Sequence, residues 1–169
     1  RGTAIHAFMQ SVPFDGPAPD LDAEVRRQTD LQLLDPALAD KLDLDAVRPF
    51  FASAVWRRIR LAKQILREEP FITALPAAQI TTEAGECEAE VLVQGIADLV
   101  LVYDDHAEIL DYKTDRIRPE GVPARTAYYA AQLHAYAGAM ARITGRPVCR
   151  RVLYFLHCGR ISDVPGPDA

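Results

Sequence analysis

E-I-L-D-Y-K-T, residues 108–114, is the stretch on which the fold turns. An apolar run is interrupted by an acid, an aromatic and a base, where strand-like runs usually end in turn residues. Asp111 and Lys113 are two apart, so on a strand both side chains leave one face. Tyr112 turns to the other face, toward a core. The bland explanation is an edge strand with a cross-strand ion pair. The sharp explanation is a metal-dependent active site. For D-x-K by itself the bland explanation is the better one, so the neighbours decide.

Upstream, residues 88–103 read E-A-E-V-L-V-Q-G-I-A-D-L-V-L-V-Y. They are rich in β-branched residues and read as one long strand, with Gly95 expected at a bulge. Asp104-Asp105-His106 reads as a turn, so residues 107–113 pair back as a hairpin. That turn brings Asp98 toward Asp111 near one end of the sheet. Two convergent carboxylates repel unless a cation sits between them. Oxygen ligands favour Mg²⁺, with Mn²⁺ as the alternative, over zinc. Downstream, residues 123–144 have helical spacing and stop at Gly145-Arg146-Pro147. Gln132 and Tyr136 are i, i+4 on that helix and share a face. Alone, the pair would be an ordinary polar helix face.

The N-terminal part is helical in pattern. Ile5, Phe8 and Met9 recur at i, i+3, i+4 across residues 1–12, and His6 sits among apolar neighbours. A lone histidine there is more often packed or superficial than a ligand. Residues 13–20, with three prolines and a glycine, read as a loop. Residues 21–35 read as a helix. Asp45 is expected to cap a longer one running to about Leu66, with Phe50, Phe51, Val55, Ile59 and Leu66 on its apolar side. Arg57, Arg58, Arg60 and Lys63 on that helix read as a solvated surface. Residues 69–75 and 78–83 read as short extended pieces, and 149–157 with 160–164 as a last hairpin. The order implies one α/β domain, residues 1–169, with a central mixed β-sheet flanked by helices.

Composition bounds the function. The 169 residues are 49% apolar and 25% charged, ordinary for a globular domain. No apolar run reaches transmembrane length, so no membrane role is expected. The three cysteines include no CxxC, which argues against a zinc ribbon or an iron–sulfur cluster and fits a reducing cytoplasm. No G-x-x-x-x-G-K-[ST] occurs, so the chain carries no ATP site of that kind. The net charge of −5 does not announce nucleic-acid binding. A zinc hydrolase using His6, His106, His134 or His157 is a poor reading, since no H-x-x-x-H or H-E-x-x-H spacing exists.

Five segments together resemble a known family. G-T-A-I-H-A-F (2–8), R-E-E-P-F (67–71), G-I-A-D-L-V (95–100), I-L-D-Y-K-T-D (109–115) and A-A-Q-L-H-A-Y (130–136) are similar, in order, to the motifs of RecB-like nucleases of the PD-(D/E)xK superfamily. The likeness is greatest to the C-terminal nuclease domain of AddA-type helicase–nucleases, which act in double-strand break repair. Each motif alone is weak; the ordered set is strong. Asp98 follows Ala97, so the Pro-Asp of the superfamily name is absent.

The resemblance implies a restriction-endonuclease-like core with extra N-terminal helices, in a fragment of a longer helicase–nuclease chain. It implies that His6, Asp98, Asp111 and the Tyr112 backbone carbonyl bind the metal, and that Lys113 acts on the water. Gln132 and Tyr136 would shape the site and contact DNA. Glu68 matches the glutamate before Pro-Phe; a role at the site and a structural salt bridge are equally open. The expected partners are a single-stranded DNA end, upstream helicase domains of the same chain and a second AddB-like subunit. Two alternatives stand: a catalytically silent DNA- or partner-binding module, and a stand-alone exonuclease.

Overall fold

The computed structural model describes residues 2–76 and 89–166. Helix α1 (Gly2–Ser11) is followed by α2 (Leu21–Asp30), α3 (Pro36–Ala39), α4 (Leu44–Val47) and α5 (Ala54–Ile59). Strands β1 (Gln64–Pro76), β2 (Glu90–Val102) and β3 (Ala107–Lys113) come next, then α6 (Val122–Thr144), β4 (Val148–Phe155) and β5 (Arg160–Asp163). The sheet runs in simple order β1 to β5. β3 and β4 are parallel and all other pairs antiparallel, so the sheet is mixed, as expected, with α6 as the crossover between the parallel pair.

The helix expected from Asp45 to Leu66 does not form. Pro49 has no N–H to give a continuous helix, and residues Arg48–Ala52 tighten into a 3-10 turn. Asp43, not Asp45, caps α4 by accepting from the Ala46 N–H. Ser53 then opens α5 by accepting from Trp56 N–H. The chain is already extended at Gln64, and Leu66 pairs with Val100 in the sheet. Residues 69–75 belong to the single long strand β1, and the piece expected at 78–83 lies outside the described residues. Pro36 starts α3 in its first turn, where a missing N–H costs nothing.

Two layers cover the sheet. On one side, α1, α2, α4 and α5 bury an aromatic core. Phe50, fully buried, meets Tyr154 and Tyr112 edge-to-face at 5.1 and 5.4 Å. Truncating it to alanine would cost about 3–5 kcal/mol. Leu99, Leu101, Leu110 and Tyr112 supply the sheet's half of this core. On the other side α6 packs Leu133, Ala139 and Met140 onto Val100, Ile109, Leu153 and Phe155. It ends at Gly145, whose φ of 64° is the left-handed conformation that glycine accepts without strain.

The sheet forks at its centre. β3 pairs β2 only from Leu99–Leu110 to Val102–Ala107. Beyond Leu99, among the described residues, β2 follows β1 alone as a two-stranded ribbon. At the branch the face of β2 turns over: Leu99 and Leu101 belong to the α1-side core, whereas Ala97, of the same parity, belongs to the α6-side core. The ladder skips Glu68 opposite Asp98, and Glu68 adopts a φ of 47°. The irregularity is therefore here and not at Gly95, which pairs regularly with Phe71. Gly95 is required for another reason. A Cβ there would stand 2.8 Å from the Phe71 ring and 3.1 Å from Tyr136.

Candidate active site

The fork positions the chemistry. Asp98 lies one step past the last β2–β3 pair, and Asp111 one step past it on β3. Because the two strands separate there, side chains from both layers reach one spot. His6 arrives from α1, with Nε2 3.1 Å from Asp98 Oδ2. The same Asp98 oxygen accepts from the Tyr112 N–H at 2.7 Å. Tyr112 turns its ring into the aromatic core, as its parity on the strand requires, and its edge faces His6 at 6.2 Å.

On the α6 side, Lys113 Nζ lies 2.7 Å from Asp111 Oδ2 and donates to Gln132 Oε1 at 3.1 Å. Gln132 Nε2 donates to Tyr136 Oη at 2.8 Å and reaches Asp111 Oδ1 at 3.4 Å. The Tyr136 ring rests edge-on against Phe71 at 4.9 Å, over Gly95. His6, Asp98, Asp111, Lys113, Gln132 and Tyr136 all line one pocket of about 280 Å³. A larger apolar cleft of about 590 Å³ on the ribbon, lined by Ile72 and Gln94 among others, holds no titratable side chain and shares only Ile96 with this pocket.

The site leaves its charges in conflict. Asp111 is 3% exposed. Burial first, and repulsion from Asp98 second, push its carboxyl up to about 6, against the pull of Lys113 and His6. Glu68 is raised as well, by burial and by the negative charge of Asp98 and Asp111, with His6 opposing. That electrostatic coupling ties Glu68 to the cluster. Its left-handed backbone costs about 1 kcal/mol or more, a strain that glycine would relieve. No sequence pattern signals this conformation. Arg67, next to it, is spent structurally: it stacks over Phe14 at 3.7 Å and donates to the Gln10 carbonyl at 3.0 Å, tying β1 to the end of α1.

The donor set fits a divalent cation in chemistry: two converging carboxylates with an excess of negative charge, and an imidazole beside them. Among the described residues no three His, Cys, Asp or Glu side chains are already arranged to hold an ion. In this arrangement Lys113 pairs with Asp111, and the His6 ring meets Asp98.

Sequence reasoning missed one group, Tyr129, whose ring lies under Lys113 Nζ at 3.8 Å. It stands three positions before Gln132, on no recognised motif. The other histidines are elsewhere. His106 contacts Asp105 and His157 approaches Asp43, while His134 meets the Pro165 carbonyl. Among the described residues no helix is long and apolar enough to cross a membrane.

Comparison with known proteins identifies the family. Residues 1–166 match the PD-(D/E)XK nuclease superfamily. The AddA-type ATP-dependent helicase/nuclease protein of Desulforamulus reducens is 37% identical over 97% of this chain, which spans 13% of that relative. The corresponding helicase/nuclease of Carboxydothermus hydrogenoformans is 33% identical over 92% of this chain, and that of Bacillus velezensis 32% over 95%; the chain spans 14% of each. The match covers residues 1–166, nearly the whole chain, so the chain belongs to the PD-(D/E)XK nuclease superfamily.

Proposed function

We propose that this chain is the Mg²⁺-dependent exonuclease domain of a longer helicase–nuclease, hydrolysing phosphodiester bonds of single-stranded DNA in double-strand break repair. The observation that carries the reading is the like-charged pair of buried Asp111 and part-buried Asp98, which share one pocket with His6 and Lys113. Nucleases of this superfamily generally use divalent metal ions. His6, Asp98, Asp111 and the Tyr112 carbonyl would hold one, with Mn²⁺ as a substitute. When bound, it supplies polarisation of the phosphoryl oxygen and a lowered pKa for water.

The chain's own groups do the rest. Lys113 orients the attacking water and offsets charge developing on the phosphate. Gln132 fixes both Lys113 and Asp111 by its two ends, and Tyr136 holds Gln132. The side chains are held from α1, β2, β3 and α6, so their spacing is set by the rigid sheet rather than by a loop. The upstream motor domains, an AddB-like partner and a cytoplasmic setting belong to the same proposal, supported by relatives that are themselves ATP-dependent helicase/nucleases.

The test is release of mononucleotides or short products from end-labelled linear single-stranded DNA, with circular single-stranded DNA as control. Cleavage of the linear strand only, requiring Mg²⁺ and stopped by a chelator, is expected. Cleavage that survives chelation overturns the reading. The net charge of −5 favours a second reading, a nuclease-like module that binds without cutting. A Mg²⁺ titration that gives neither heat nor cleavage would select it.

A further inference from the structure

We propose that Tyr129 is a positioning residue for the reaction, its ring seating the Lys113 ammonium and an Asp115–Arg125 pair seating the ring. The inference rests on the reading of Lys113 as the group that orients water.

A lysine head group sits on four flexible carbons, so a fixed position needs contacts from more than one direction. Asp111 holds Lys113 Nζ from one side at 2.7 Å, and Gln132 from a second at 3.1 Å. The Tyr129 ring closes a third at 3.8 Å. The Lys113 side chain is only 11% exposed, the desolvated setting in which a cation over an aromatic face is attracted most strongly. An ion pair with Asp111 is also the contact most easily weakened, because Asp111 faces the repulsion of Asp98 and any cation competes for it. The ring does not compete for cations in that way and keeps its hold.

The ring is itself clamped. Tyr129 Oη donates to Asp115 Oδ1 and Oδ2, both at 3.2 Å, and accepts from Arg125 Nη2 at 3.0 Å. Arg125 Nε donates to Asp115 Oδ1 at 2.9 Å, and its Nη2 pairs with the same oxygen. Arg125 and Tyr129 are i, i+4 on α6, so they share a face. Asp115 follows Lys113 by two residues. The clamp therefore ties the end of β3 to the helix at the point where the lysine emerges. The competing account is that Tyr129 merely fills space beside Val122 and Leu133. Leucine would fill much of that space; only an aromatic ring also attracts a cation.

The chain has three lysines, Lys41, Lys63 and Lys113, so the Lys113 side-chain signals are separable by NMR after lysine-specific labelling. A ring beneath Nζ moves the Lys113 Hε signals upfield of the other two. That displacement is expected in the unsubstituted protein and in Tyr129→Phe, and is lost in Tyr129→Leu. In Mg²⁺-dependent cleavage of a single-stranded oligonucleotide, Tyr129→Leu lowers kcat about tenfold with KM within about twofold, while Tyr129→Phe stays within about threefold of the original rate. Asp115→Asn, which loosens the clamp and keeps the ring, falls between Tyr129→Phe and the original protein. An undiminished kcat in folded Tyr129→Leu, or an unshifted Lys113 signal in the unsubstituted protein, overturns the proposal. If Tyr129→Leu fails to fold, equal rates for Asp115→Asn and the original overturn the clamp. Absence of any Mg²⁺-dependent cleavage overturns the nuclease reading and with it the positioning role, even where the Lys113 signal is displaced.

Discussion

Strand β3 carries two buried acids that have opposite fates. Glu108, 4% exposed, faces the α5 side and is gripped by Arg58 through both Nε and Nη2, with His106 Nε2 at 3.7 Å. Asp111, 3% exposed and three residues on, faces α6, shares its surroundings with Asp98 and is pushed up to about 6. The first acid is neutralised by a partner that asks for nothing more. The second is left with a like-charged neighbour and only part of the compensation it needs. A buried acid that is fully paired belongs to the architecture, whereas one left in conflict marks the chemistry.

The sharpest way to break that contrast is to remove one partner from each end of the strand. Asp111→Ala or Lys113→Ala should lower Mg²⁺-dependent cleavage by about a thousandfold or more while circular dichroism still shows a folded protein. Arg58→Met should leave the cleavage rate of the folded protein unchanged but strand Glu108, at a cost of about 2–4 kcal/mol, or about 5–15 °C in Tm. Adding Glu108→Leu to Arg58→Met should restore most of the loss. Full activity in Asp111→Ala, or collapse of activity in folded Arg58→Met, would erase the distinction.

A smaller effect sharpens it through pH. The folded pKa of Asp111, about 6, lies above that of a free aspartate. The fold therefore prefers the neutral acid. This contribution is fully present below about pH 4 and is lost as pH rises through about 6. Asp111→Asn should stabilise the metal-free protein by about 2 kcal/mol at pH 8 and by almost nothing at pH 4. Urea unfolding in chelator at the two pH values measures this. The comparison fails if the asparagine variant is the less stable one at pH 8.

The smallest effect is at Gly95, which touches neither acid and acts through the rings beside it. Gly95→Ala puts a methyl into the Phe71 and Tyr136 rings, and Tyr136 holds Gln132. Cleavage should fall by about three- to tenfold with a stability loss of about 1–3 kcal/mol. An unchanged cleavage rate would show that the Tyr136–Gln132 contact does not need its present position.

The parts of the molecule legible in the sequence are those where one local rule acts alone. The period-two pattern of β3 and the i, i+4 spacing of Gln132 and Tyr136 both hold in the structure, and each puts its residues on the face it implies. The mixed sheet follows from the order of elements. The long helix after Asp45 does not survive, because Pro49 and Ser53 outweigh an apolar periodicity that α5 and β1 share between them. Gly95 reads as a bulge, but its reason is the ring beneath it, a contact made by residues 24 and 41 positions away. Tyr129 and the conformation of Glu68 are hidden for the same cause. A partner on another element and a left-handed φ leave no periodic trace.

The fork in the sheet has a consequence for solubility. Past Leu99, β2 pairs with β1 alone among the described residues, and its sequence is E-V-L-V-Q-G-I-A-D-L-V-L-V, with Leu92 72% and Ile96 50% exposed. A long apolar strand with an open edge is a template for self-association. Only Glu90, Gln94 and Asp98 interrupt it, at every fourth position. Asp98 thus breaks the apolar run at the point where it meets His6 and the Tyr112 N–H. An alanine there would join two hydrophobic runs into one and confound lost activity with lost soluble protein. Asparagine at position 98 keeps the interruption and removes only the charge.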